Sequence, residues 1–209
     1  MKKKITALAL VVAILAIAII GGTLAYFTDT KTATNTFTVG NVKIKLDEQN
    51  PGTNERTETG AAYTSVTPGV AYAKDPTVTN TGNNDAWIRV NVTLSNAAAF
   101  KAAAAKHGVT DLATVFGGHD ETKWTLAGIK DTSDDTTKNT LTYSYYYKTV
   151  LAQGASTGPL FTTVTVPKSF TTADMEAIGN FTITVTADAI QKESFDTAAA
   201  AFAAFDTAK

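Results

Sequence analysis

Apolar residues fall into two regimes along this chain. From Ile5 to Ile20 they form one run, broken only by Thr6. Beyond residue 40 they recur at every second position, in short stretches separated by turn residues. In Trp87 to Leu94 the even positions Ile88, Val90, Val92 and Leu94 are apolar, while Arg89, Asn91 and Thr93 take the other face. Leu141, Tyr143, Tyr145 and Tyr147 share a face in a second stretch, and Leu160, Val164 and Val166 in a third. In a fourth, Phe181, Ile183, Val185, Ala187 and Ala189 alternate with Thr182, Thr184, Thr186 and Asp188. This period of two marks antiparallel strands with one buried face. The abundant Thr is β-branched and favours the same conformation. Number and spacing predict a mainly β protein: an antiparallel jelly roll or β-sandwich with short peripheral helices.

Three segments break the alternation. Asn96 is placed to cap a helix over Ala97 to His107, with Gly108 at the position that ends it. Thr172 is placed to cap a short helix through Ala173 to Ile178, stopped by Gly179. Ser194 opens a C-terminal Ala-rich helix in which Phe195, Phe202 and Phe205 fall near one face, as expected for packing on the sandwich.

The first apolar run has the layout of an export signal. Lys2, Lys3 and Lys4 precede it, Gly21 and Gly22 end it, and Thr23-Leu24-Ala25 sets small residues at −3 and −1. Cleavage is therefore expected between Ala25 and Tyr26. A retained anchor is the other reading, but the run is slightly short for a bilayer span and lacks a basic stop-transfer flank. Contact with a membrane is expected only through this segment before cleavage.

The next segment is unusual. From Thr28 to Thr38 every even position is Thr, and the odd positions are Phe27, Asp29, Lys31, Ala33, Asn35, Phe37 and Val39. After Gly40 the phase flips, so that Val42, Ile44 and Leu46 are apolar on even positions. A regular strand cannot absorb a one-residue change, because it sends side chains to the opposite face. Gly40 thus marks either a bulge within one long first strand or the base of a separable arm. The expected organisation is 1–25 signal, 26–39 arm and 40–209 β domain.

Charge narrows the function. The whole chain carries 18 Lys+Arg against 19 Asp+Glu. Losing the signal removes three Lys and no acid, leaving a mildly acidic domain with no basic stripe for nucleic acid. There is no Cys, which excludes disulfides, a Cys nucleophile and Cys-ligated zinc.

Two motifs carry a resemblance. One is Gly21-Gly22-Thr23-Leu24-Ala25-Tyr26-Phe27-Thr28-Asp29. The other runs from Thr67-Pro68-Gly69 through Lys74-Asp75-Pro76-Thr77-Val78-Thr79-Asn80-Thr81-Gly82-Asn83-Asn84-Asp85-Ala86-Trp87-Ile88-Arg89-Val90. With Pro159-Leu160-Phe161 and Ala187-Asp188-Ala189-Ile190-Gln191, they resemble the TasA/camelysin family, Gram-positive exported proteins processed by a SipW-type signal peptidase. The resemblance implies a jelly-roll domain and assembly into extracellular biofilm-matrix fibres, each arm inserted as a strand into the next subunit. The arm here is Tyr26 to Val39, with Tyr26, Phe27, Thr28, Asp29, Ala33, Phe37 and Val39 as its assembly residues and Phe27 and Phe37 as anchors. Signal removal would also free it. The implied partners are further copies, head to tail, with accessory matrix proteins beside them.

Rival classes find less support. The camelysin branch carries a metallopeptidase label, but only His107 and His119 are available, neither within a His-Glu-x-x-His pattern. Asp131-Thr132-Ser133-Asp134-Asp135 begins like a calcium loop, yet Thr136 and Thr142 stand where Gly and Glu are wanted. Asn91-Val92-Thr93 and Asn180-Phe181-Thr182 match a glycosylation pattern inside or beside strands. Trp87 and the Tyr143, Tyr145, Tyr146, Tyr147 cluster suit sheet packing better than a sugar platform. The expectation is a secreted structural subunit with no catalytic residue, cofactor or metal. The alternatives are a monomeric or accessory cell-surface domain, and a camelysin-like metallopeptidase.

Overall fold

Three of the stretches announced by alternation, with one strand that was not announced, form a single antiparallel sheet. A computed structural model describes residues 41–51, 53 and 55–208 of the chain. The large sheet has the order β11-β5-β8-β7, built from β5 (Ala86–Ser95), β7 (Trp124–Asp131), β8 (Thr140–Tyr147) and β11 (Ile183–Gln191). β5 and β11 pair without interruption from Ile183 opposite Leu94 to Gln191 opposite Ala86. The remaining strands form two smaller antiparallel sheets. One has the order β2-β1-β4-β9, from β1 (Ile44–Gln49), β2 (Arg56–Thr57), β4 (Thr77–Asn80) and β9 (Ser156–Pro159). The other has the order β3-β10-β6, from β3 (Ala71–Ala73), β6 (Phe116–Gly117) and β10 (Thr163–Thr165).

One apolar cluster joins the three sheets. Ile88, Val90, Val92 and Leu94 of β5 and Tyr143 and Tyr145 of β8 lie in it with Val78 of β4, Phe116 of β6 and Val164 of β10. The protein is therefore mainly β and sandwich-like, with one layer a continuous sheet and the other divided. Each large side chain fully buried there contributes about 1.5–3 kcal/mol. Tyr143 and Tyr145 are core residues, and burial pushes the Tyr145 hydroxyl up to about 12. That removes them from any sugar platform.

The third alternating stretch is not one strand. Leu160 and Phe161 are consecutive and both buried, which a strand with one buried face cannot accommodate. The chain bends there, separating β9 from β10, and Leu160 N donates across to Pro76 O at 3.0 Å. β11 likewise begins at Ile183, so Phe181 lies outside it and packs edge-on against Phe100, 5.0 Å between centroids.

All three helices are present with different caps. In α1 (Ala97–Lys106), Asn96 adopts a left-handed conformation and does not cap through its side chain. Its Nδ2 reaches away, donating to Ile178 O at 2.8 Å and Asn180 O at 2.7 Å. The cap comes from distant Asn139, whose Oδ1 accepts from Ala98 N at 2.8 Å and whose carbonyl accepts from Ala97 N at 3.1 Å. α2 (Thr172–Ile178) is capped one residue early, by Thr171 in a reciprocal capping box with Asp174. α3 (Ala198–Thr207) is capped by Thr197, because Lys192–Ser194 form a 3-10 turn and Phe195 is extended. Phe195 thus precedes the helix, yet it still gathers with Phe202 and Phe205 around Trp87 and Tyr146 on the outer face of the large sheet.

Candidate assembly interface

The Asn80-Thr81-Gly82-Asn83-Asn84 segment is more than a link between β4 and β5. It grips the chain where the described body begins. Thr81 N and Gly82 N both donate to Lys43 O, at 2.8 and 2.9 Å. Asn83 N donates to Asn41 O at 3.1 Å and to Asn41 Oδ1 at 3.0 Å. The turn is held in shape by buried Asn80, whose Oδ1 accepts from Gly82 N at 3.0 Å and whose Nδ2 donates to Asn84 O and Leu151 O at 2.9 and 3.0 Å. Glycine is required at 82 by proximity. A Cβ there would lie 2.6 Å from Lys43 N and 2.7 Å from Asn41 O. Val42, Ile44 and Leu46 then pack against the core, as their phase after Gly40 predicts.

The expected cleavage and arm residues, Ala25, Tyr26, Phe27, Thr28, Asp29, Ala33, Phe37 and Val39, lie outside the described residues. The body supplies sheet edges against which an added strand could pair. The large sheet ends in β11 on one side and β7 on the other. Between Leu126 and Gly128 the β7–β8 register shifts, so β7 carries a bulge. Leu126 and Ile129 are exposed on it.

The outer face of the large sheet is closed by α3 through one cation. Arg89 donates from Nε and Nη2 to Asp188 Oδ2, at 3.0 and 2.9 Å, and from Nη1 and Nη2 to the two carboxylate oxygens of Asp206, at 2.7 and 2.9 Å. Its guanidinium stands 4.7 Å from the Phe202 ring centroid and 5.5 Å from that of Phe205. Hydrogen bonds to Asp206, then to Asp188, raise its pKa above the ordinary arginine value despite burial. Asn91 extends the ladder, donating to Asp188 at 3.2 Å and accepting from Ser144 at 2.7 Å. The Arg of the Arg-Val motif, identified in the sequence only as part of a pattern, is therefore what fastens α3.

The two histidines are tied to different parts of the fold. His107 Nε2 lies 2.7 Å from Asp174 Oδ2 and its ring 5.9 Å from that of Phe170. Asp174 also accepts from Thr171 Oγ1 and N and from Lys106 Nζ. These contacts, the Thr171 hydroxyl foremost, hold the carboxyl well below the usual carboxylate range. Lys106 and His107 thereby join the end of α1 to the start of α2. His119 Nδ1 lies 3.0 Å from Leu160 O, with its ring 4.9 Å from Tyr145. In the β7–β8 turn, Asp131 accepts from Lys101 Nζ at 2.6 Å and Ser133 N at 2.9 Å, which lower its pKa to about 2. Asp135 similarly accepts from Thr137. These carboxylates stabilise their own turn.

The sequence pattern of the camelysin metallo-endopeptidase family matches residues 1–115, more than half of the chain. The chain belongs to the camelysin family. This family includes TasA, and it is extracellular or surface-associated. The matched part of the camelysin chain contains both quoted motifs and extends through α1. No curated protein matches the chain, and no solved structure does.

The family description implies a catalytic metal, and the described side chains do not fit one. Among the described residues no three His, Cys, Asp or Glu side chains come together as metal ligands. His107 is engaged by an aspartate that three other donor atoms already occupy, and His119 faces a backbone carbonyl. A His107→Ala/His119→Ala variant is expected to keep whatever matrix activity the unaltered protein shows in a side-by-side pellicle assay. Loss of that activity with an unchanged circular dichroism spectrum would give the histidines a role beyond packing. Among the described residues no helix is long and apolar enough to cross a membrane.

Proposed function

We propose that this camelysin-family protein is an exported structural subunit. It polymerises into extracellular biofilm-matrix fibres, and residues 26–39 of each copy enter the next as an added strand. The observation that carries this reading is the grip of the Asn80–Asn84 turn on Asn41 and Lys43. That grip fixes the foot of a segment whose Thr/apolar alternation suits an extended strand, at the position where the apolar phase changes. Family membership supports the extracellular, biofilm-related setting.

The chemistry is that of β-augmentation. A sheet edge presents unpaired N–H and C=O groups, and an arriving strand satisfies them while seating alternate side chains. Because each copy donates at one place and accepts at another, the contact is head to tail and propagates without closing. The structural role needs no catalytic group.

One preparation tests both processing and assembly. Protein recovered from the medium should begin at Tyr26 by mass spectrometry and form regular filaments in negative-stain electron microscopy. A mature chain still starting near Met1 would reject cleavage after Ala25. A monodisperse species with chelator-sensitive casein cleavage would replace the structural role with the peptidase one.

A further inference from the structure

We propose that the outer face of the large sheet is a binding surface for a neutral, hydroxyl-rich polysaccharide. Register sets the side chains of that face in rows across the strands. Thr184 of β11 stands opposite Thr93 of β5, and Thr93 opposite Thr142 of β8. In the next row Thr186 stands opposite Asn91, and Asn91 opposite Ser144. On the other side of the first row Ser95 stands opposite Thr140, and Thr132 Oγ1 lies 2.9 Å from Thr140 Oγ1. The strand residues of these rows point away from the central cluster, because their neighbours Val92, Leu94, Tyr143 and Val185 point into it. Among the described residues, α3 covers this face at the end bearing Trp87, Arg89 and Tyr146. Beyond that end Thr184 and Thr186 are exposed, and Asn91, Thr93, Thr142 and Ser144 are half-buried.

A solvated sheet face calls for polar side chains, and strand propensity favours Thr. Neither explains the scarcity of charge. The rows hold hydroxyls and one amide, and the single charge is Lys130 of β7, opposite Thr142 at the sheet edge. Soluble surfaces ordinarily intersperse charges of both signs. Nor does propensity explain Asn91, a poor strand former placed in a central strand.

The rows are ordered before any ligand arrives. Thr93 Oγ1 and Thr142 Oγ1 lie 2.9 Å apart. Ser144 Oγ donates to Asn91 Oδ1 at 2.7 Å, and Asn91 Nδ2 donates to Asp188 Oδ2 at 3.2 Å. A hydroxyl has one hydrogen and two lone pairs, so a bonded pair uses one hydrogen and keeps the other, with lone pairs on both oxygens. Side chains already held in one geometry lose little freedom on binding. Strands about 4.8 Å apart, with same-face residues roughly 6.7 Å apart along each, spread these groups over a flat lattice. A sugar polymer presents the matching set, hydroxyls that donate and accept and no charge that needs a partner.

Area separates this partner from a second copy of the chain. Four strands and three rows cover roughly 400 Å² at these spacings, about half of the ~800 Å² each side gives to a stable protein–protein interface. A polymer gains by repetition instead, since copies held in one fibre would engage it at many points.

Interferometry tests the surface, using monomer taken from a sizing column. The probes are immobilised dextran, galactomannan and hydroxyethyl cellulose, with alginate as the anionic comparison. The unaltered mature chain should bind at least one neutral polymer, and equally at low and high salt. Thr93→Val/Thr142→Val keeps two β-branched strand residues and removes the central hydroxyl pair. It should raise the apparent Kd at least about fivefold. Thr184→Lys sets a long cation across the rows from an exposed position and should weaken binding as much, which covers the case of a poorly folded double variant. Thr110→Val, in the segment after α1, should bind as the unaltered chain does. Binding to none of the neutral polymers would overturn the proposal. So would binding to alginate alone that falls with salt, or equal Kd values for the row variants and the unaltered chain. Filaments are read separately by electron microscopy, so failure of this surface leaves the fibre reading standing.

Discussion

A chain lacking residues 26–35 should form no filaments and remain a folded, soluble monomer. Among the described residues, every side chain of the central core cluster lies at or beyond Val42, and the deletion touches none of these. It also leaves intact the hydrogen bonds from the Asn80–Asn84 turn to Asn41 and Lys43. What it removes is the Phe27 anchor, which contributes about 1.5–3 kcal/mol when fully buried, and most of the backbone that would pair with an acceptor edge. Electron microscopy should show filaments from the complete mature protein and none from the deletion. Thermal melts of the two monomers should coincide. Phe27→Asp should weaken assembly in the same direction, since on the proposed reading it introduces a charge where an apolar ring is expected to seat. Normal filaments from the deleted chain would end the donor-strand account. Global unfolding would show instead that 26–39 is the first strand of its own domain.

Arg89→Ala should give the largest stability loss of any single polar change. The side chain is only 9% exposed and joins Asp188 on β11 to Asp206 on α3 between two aromatic rings. Removing one member of such a pair costs about 3 kcal/mol at the lower end of the range, which suits the exposure of Asp206. For a domain of this size that lowers the melting temperature by roughly 6–12 °C. Arg89→Lys should recover little, because an ammonium cannot reproduce the forked contacts with two carboxylates. Circular dichroism melts measure the loss. Trp87, whose Nε1 donates to Phe195 O at 3.0 Å, gives a fluorescence report on whether α3 detaches first. An unchanged melting temperature would mean that the Phe202 and Tyr146 stacking alone holds the helix.

Alternation made three strands of the large sheet legible because they are long and half-buried, whereas β7, exposed after Trp124, was not read. Ile88 to Leu94, and the row from Ile183 to Ala189, occupy the faces their period assigns. The short strands were less readable: two or three residues carry no period, and Leu160-Phe161 concealed a bend inside an apparent run. Helix ends failed where the cap is not local. Nothing near Asn96 indicates that Asn139 provides the cap, and Thr171 caps the second helix in place of the expected Thr172 beside it. The arm over 26–39, read from its Thr period and the phase change at Gly40, lies outside the described residues. The function of Gly82 was not legible, because turn residues reveal a bend and not the neighbouring backbone of residues 41–43, which leaves no room for a Cβ.

That close passage has a mechanical consequence. In a fibre of the kind proposed above, load carried along the arm would reach the body at residues 41–43. There it divides between β1 and the Asn80–Asn84 turn, which hands it to β4 and to β5 at the centre of the large sheet. Pulling therefore acts on several hydrogen bonds and two sheets at once, instead of peeling β1 from its neighbour one bond at a time. Weakening this junction would lower the force at which a subunit ruptures, a quantity set by the unfolding rate, even where equilibrium stability hardly changes.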